Sequence, residues 1–116
     1  MSAVQVDATI YLETALNIPG AYESKVIDVQ QIEAFAIDIK WDGINPILGN
    51  FEIHVSNVPT DPFTKLDGSA QELTGALGKH VYSVRHLNYR YIKLIGLVTI
   101  GDSDFDITFN SRSRRN

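Results

Sequence analysis

Asp102, Asp104 and Asp106 recur at every second position near the C-terminus. Residues two apart share a face of an extended strand, so the three carboxylates would form one acidic row opposite Phe105, Ile107 and Phe109. A row of oxygens suits a hard cation such as calcium. An EF-hand loop is excluded. Counted from Asp102, its sixth position is Ile107, where glycine is required, and its twelfth is Ser113, where glutamate is required. A solvated acidic face is the plainer account. A third reading concerns the basic tail, Arg112, Arg114 and Arg115. Guanidinium and carboxylate groups pair bidentately and directionally, so the acidic row can dock the tail of a neighbouring copy. Exposed pairs contribute only about 0–1 kcal/mol each, so they would set register more than drive assembly.

Other chemistry finds less support. Zinc needs three or four ligands held together. The chain has no cysteine and only three histidines, His54, His80 and His86, with no such spacing. There is no Gly-x-Ser-x-Gly elbow and no glycine-rich phosphate loop. Glu52 and Asp38 fall on polar strand faces, where carboxylate pairs are ordinary. No catalytic residue, metal or cofactor is expected, and the chain is not read as an enzyme. Tyr82, Tyr89 and Tyr91, with Arg90, raise stacking on bases or sugars. They flank an aliphatic run, so core packing and subunit contact come first.

Charge narrows the partners. Net charge is −4, and the first 110 residues hold seven basic against fourteen acidic groups. An acidic body with a basic tail argues against a nucleic-acid groove. No stretch approaches the ~20 apolar residues of a membrane span, so no membrane partner is expected. The start, Met1 to Asp7, lacks the basic and apolar regions of a signal peptide.

The elements that would carry these residues are strands. Phe35, Ile37, Ile39 and Trp41 alternate with polar residues, as do Phe51, Ile53 and Val55. That period of two marks half-buried antiparallel strands. Further strands are expected over 4–12, 25–29, 69–74, 79–85, 90–100 and 103–110. Asp42-Gly43 opens a loop, Pro59 and Pro62 force an irregular crossover, and Gly75 and Gly78 bracket a turn. About eight short strands in 116 residues make an all-β, antiparallel sandwich. One domain is expected over 1–110, opening with a strand or arm, followed by a basic tail over 111–116.

The run Phe51-Glu52-Ile53-His54-Val55-Ser56-Asn57, the turn Asp61-Pro62-Phe63-Thr64-Lys65-Leu66 and the strand Tyr89-Arg90-Tyr91-Ile92-Lys93-Leu94 resemble discoidin-type, galactose-binding-like jelly-roll domains. Phe63 stands where that family usually has tryptophan. The stripped form, with Gly68-Ser69 and a closing Phe-x-Ile-x-Phe strand, is similar to small virion proteins of bacterial viruses. The resemblance covers residues 33–110. It implies a jelly roll used for attachment or as a building block.

Two features point to assembly. Residues 92–98 are apolar on both faces, as in a strand whose outer side a neighbour covers. The expected loop over 42–50 carries Ile44, Ile47 and Leu48. These either fold back over the sandwich or insert into a neighbour, at about 1.5–3 kcal/mol for each buried side chain. The expectation is therefore a structural protein of a bacteriophage particle, in capsid decoration, a spike base or a tail. It would be made in the host cytoplasm and would pack against copies of itself and other virion proteins. The alternative is a carbohydrate-binding module with its glycan at the loop tips.

Overall fold

The computed structural model describes residues 7–17, 20–30, 32–85, 87–101 and 103–113. Eight strands follow in order: β1 (Asp7–Asn17), β2 (Ala21–Glu23), β3 (Ile27–Asp28), β4 (Ile32–Ser56), β5 (Thr64–Lys65), β6 (Gln71–Arg85), β7 (Tyr91–Ile100) and β8 (Asp104–Ser113). All pairings are antiparallel, with the order β1-β8-β4-β7-β2; β3 adds to β7, and β5 and β6 add to β4. This is the all-β sandwich the alternation implies.

The 25-residue β4 is the spine. Its first part, Ile32 to Asp42, pairs with β8 on one side and with Leu77–Arg85 of β6 on the other. Its second part pairs with β7 and with Gln71–Gly75 of β6. The sheet thus folds into a first layer, β1-β8-β4-β6, and a second, in which β4 and β6 continue beside β7, β2 and β3. Stacked sheets lie about 10 Å apart, consistent with a shortest molecular extent of 21 Å.

The core fills the space between. Phe35, Ile37, Ile39, Trp41, Phe105, Ile107 and Phe109 enter it from the first layer, and Phe51, Ile53, Val55, Ile92 and Leu94 from the second. Phe51 and Phe105 bridge the layers with ring centroids 5.6 Å apart. The Tyr82 hydroxyl donates to the Phe51 carbonyl at 2.8 Å, satisfying a buried polar group at the same seam. In each layer an aromatic side chain covers a glycine on the neighbouring strand. Trp41 lies over Gly78 and Phe51 over Gly96, so closely that a Cβ would sit 2.2 Å and 2.6 Å from the respective rings.

Several boundaries differ from those expected. The segment 42–50 is no loop, because it continues β4 through a register shift between Asp42 and Ile47. Ile47 is a core residue, 3% exposed. Odd positions of β4 stay buried on both sides of the shift, and β6 absorbs the mismatch instead. There Leu73 is 1% exposed while Leu77, four residues on, is 74% exposed. Gly75 sits at that switch with φ +96°, a conformation only glycine adopts at no steric cost. Hence 69–74 and 79–85 are not separate strands around a turn; Gly75 and Gly78 lie inside β6. The C-terminal strand also runs further, to Ser113, so Arg112 belongs to the sheet rather than to a free tail.

Candidate functional site

The first layer carries a charged outer face, built by strand register. Lys79 of β6, Lys40 of β4 and Asp106 of β8 stand side by side across three strands, and Leu77, Asp42 and Asp104 form the next row. These residues, with Trp41 and Gly78, line an open groove of about 550 Å³. Lys40 opposite Asp106 is an attractive cross-strand pair, whereas Lys40 beside Lys79 and Asp42 beside Asp104 are like-charged neighbours. Trp41 presents little of its ring, being 5% exposed, and its Nε1 donates to the Gly75 carbonyl at 3.2 Å.

Of the acidic row read from the sequence, Asp104 is exposed and Asp106 half-buried, while Asp102 lies outside the described residues. Arg112 stands opposite Ala34 of β4 and Asp7 of β1. It is eight residues along β8 from Asp104, roughly 27 Å at a strand's rise per residue. The two therefore do not meet within one chain. Arg114 and Arg115 lie outside the described residues, as does the side chain of Ile44. Leu48 is half-buried. Ile47, placed in the core, is not available to a neighbour. Among the described residues no group of three or more acidic, histidine or cysteine side chains is placed to hold a metal ion.

The second layer has a different exterior. Lys93 lies in the most apolar stretch of β7, and its side chain is only 7% exposed. Its Nζ donates to Glu23 Oε2 and to Asp61 Oδ1, both at 2.7 Å, and stands 4.6 Å from the centre of the Phe63 ring. Two strong acceptors answer the cost of burying the cation. The bonds to Asp61 and then Glu23 hold the ammonium above its ordinary pKa of 10.5. The clamp ties β2 and the 57–63 crossover to β7. Sequence reading passed over Lys93; the usable signal was a cation amid Ile92, Leu94 and Ile95, which must find partners if the strand is covered. Beside it, His54 Nε2 meets Glu52 Oε1 at 2.8 Å, and Lys65 Nζ lies 3.6 Å from Glu52 Oε2. The His54 bond, with help from Lys65, lowers the Glu52 pKa. Further along, the outer face of β7 turns apolar. Leu97 is 50% and Ile100 59% exposed, with Ile95 half-buried.

The tyrosines divide. Tyr82 is buried, and burial, with the nearby Glu52 charge, pushes its hydroxyl pKa up. Tyr91 is half-buried beneath the Arg90 guanidinium, 5.0 Å from its ring centre. Tyr89 is exposed and lines a hollow of about 240 Å³ with Arg90, Val29 and Leu87. His80, edge-on to Tyr82 at 4.7 Å, has its pKa lowered by burial.

No family model matches the chain, and no curated protein matches it in sequence. Solved structures do resemble it in fold. A chain from the structure of infectious bursal disease virus Gx strain matches over 97% of this chain with a TM-score of 0.63 and 9% identity. The present chain spans about a third, 34%, of that viral chain's length. The SPBc2 prophage-derived protein YomS matches over 97% of this chain and 98% of its own, with a TM-score of 0.51 and 10% identity. A structure described as CBM4 aligns at a TM-score of 0.48 and 16% identity over 95% of this chain and 71% of its own, too loosely to weigh. At these identities the likeness is one of fold: the chain shares its β-sandwich with a viral and a prophage-derived protein.

Proposed function

We propose that this chain is a structural protein of a bacteriophage particle that works by packing against copies of itself and against other particle proteins. The capsid surface, a spike base and the tail are the places such a block would fill, and the assembled virion is its location. The observation that carries the reading is the outer face of β7, where Leu97 and Ile100 stay at least half in solvent at 50% and 59% exposure. Covering such side chains with a neighbour is favourable at roughly 25 cal/mol per Å² of apolar surface. The shared fold supports it, above all the match to a prophage-derived protein along almost the whole of both chains. The groove of the first layer is open and charged, which suits a docking surface better than turnover.

A glycan-binding role is the second reading, and the groove beside Trp41 is the place for it. A sugar ring stacks on an open aromatic face, and Trp41 offers almost none. Sedimentation across a concentration series tests the main reading. Self-association, weakened in Leu97→Ser/Ile100→Ser, is the expected result. A protein that stays monomeric at every concentration and fails to bind any particle component overturns it, and a hit on a glycan array would favour the second reading.

A further inference from the structure

Exposed apolar side chains gather on two strips of the sheet that carry opposite charge. Among the described residues, Leu77 and Val81 are exposed on β6, and Leu97 and Ile100 on β7. Outward on β6 in the first layer come Leu77, Lys79, Val81, Ser83 and Arg85, every one exposed, in alternation with buried or half-buried neighbours. The segment 77–85 holds a lysine and an arginine and no carboxylate, so this strip is apolar and basic. The carboxylates of the same face, Asp38, Asp42, Asp104 and Asp106, stand on β4 and β8. β6 pairs only with β4 among the described residues, so the strip lies at the margin of its layer.

The β7 strip is apolar and acidic. Leu97 has Asn50 on one side and Ala21 on the other, Ile95 has Glu52 and Glu23, and Ile100 pairs with Leu48. One strand further out, Glu72 of β6 stands opposite Asn50. Segments 21–23, 48–52, 71–74 and 95–100, which build this part of the second layer, contain no cation. Glu23 is held by Lys93, and Glu52 by His54. Glu72 and Lys79 have no ion-pair partner among the described residues. The two strips lie on opposite outer faces with the core between them, so one chain cannot bring its own together.

We infer that the β6 strip of one copy seats on the β7 strip of a second copy, with Leu77 and Val81 covering Leu97 and Ile100 and Lys79 brought to Glu72. It rests on the assembly reading above and names the second surface. Covering the four side chains removes apolar surface from water on both partners. The charges beside them select which surface is accepted. Either strip set against its own kind brings like charges together, cations on β6 or carboxylates around β7. A contact between two different surfaces is heterologous, so copies close into a ring where the rotation per step allows and otherwise extend as a filament.

Two variants of the full chain test this. Leu77→Ser/Lys79→Glu spoils only the β6 strip, and Leu97→Ser/Ile100→Ser only the β7 strip. Each alone should need about tenfold or more concentration to associate as wild type does. An equimolar mixture keeps one sound strip of each kind. At the highest concentration where each variant alone is monomeric, sedimentation of the mixture should show paired chains and nothing larger. Circular dichroism checks that each variant is folded, and Leu97→Ser alone replaces the second if the pair of changes does not fold. A folded Leu77→Ser/Lys79→Glu chain that associates like wild type overturns the pairing and leaves the assembly reading standing. So does a folded mixture that stays monomeric or grows beyond two chains. A wild-type chain that is monomeric at every concentration also overturns the pairing, and the assembly reading falls with it only if the chain binds no particle component either.

Discussion

The two layers are built alike inside and differently outside. Facing the core, each sets an aromatic ring over a glycine on the adjacent strand, Trp41 on Gly78 and Phe51 on Gly96. Facing solvent, the second layer ties down its own cover, with Lys93 holding Glu23 and Asp61 against β7. The first layer leaves Lys40, Asp42 and Lys79 exposed and has bare edges on both sides among the described residues. The interior is therefore a shared solution to packing, and the exterior is where the halves diverge. The second layer is stapled to its own chain, apart from the exposed Leu97–Ile100 strip, whereas the first presents charged residues and open edges.

The bridge between the layers should give the largest effect. Phe51 is fully buried and touches Tyr22 on its own layer and Phe105 on the other. Phe51→Ala should cost about 3–5 kcal/mol in urea unfolding, with loss of cooperativity between the layers. The glycine seats come next. Gly78→Ala and Gly96→Ala each force a methyl into a buried ring, and about 1–3 kcal/mol is expected for each. Similar losses would confirm that the interiors match, and a harmless Gly78→Ala would break that likeness. The outer faces should separate more finely. Lys93→Met removes two charge-assisted bonds whose acceptors are largely exposed, so a cost of about 1 kcal/mol is expected. Lys79→Met should change stability by no more than about 0.5 kcal/mol.

The smallest effect is in pH. Burial lowers the His80 pKa below its ordinary 6.5, so the unfolded chain takes up the proton first. Stability should fall as pH drops from about 6.5, and level off once the folded ring is protonated too. His80→Gln should flatten that part of a pH–stability profile and leave the profile above pH 7 unchanged.

Much of the interior was legible in the sequence. Phe35 to Trp41 and Phe51 to Val55 alternate with a period of two, and those residues are the core. The join between them was not. Asp42-Gly43 has the composition of a turn, but β4 runs through it because β6 takes up the mismatch at Gly75. Nothing local to 42–50 reports a compensation made some thirty residues away, so Ile47 passed for a loop residue. The exterior was legible only in part. The two-faced apolar run of β7 was plain, yet which outward residues stayed exposed depended on Asp61 and Glu23 reaching Lys93 from distant segments. Arg112 read as tail because charged C-terminal residues commonly fray, whereas here the backbone finds partners in β1 and β4.

The central strand β4, which with β6 runs through both layers, has a mechanical consequence. A load pulling on either half passes to the other through the covalent backbone of residues 32–56, without relying on side-chain friction between the halves. In an array of such units, strain entering at one contact would be shared by the whole subunit rather than prising its two sides apart.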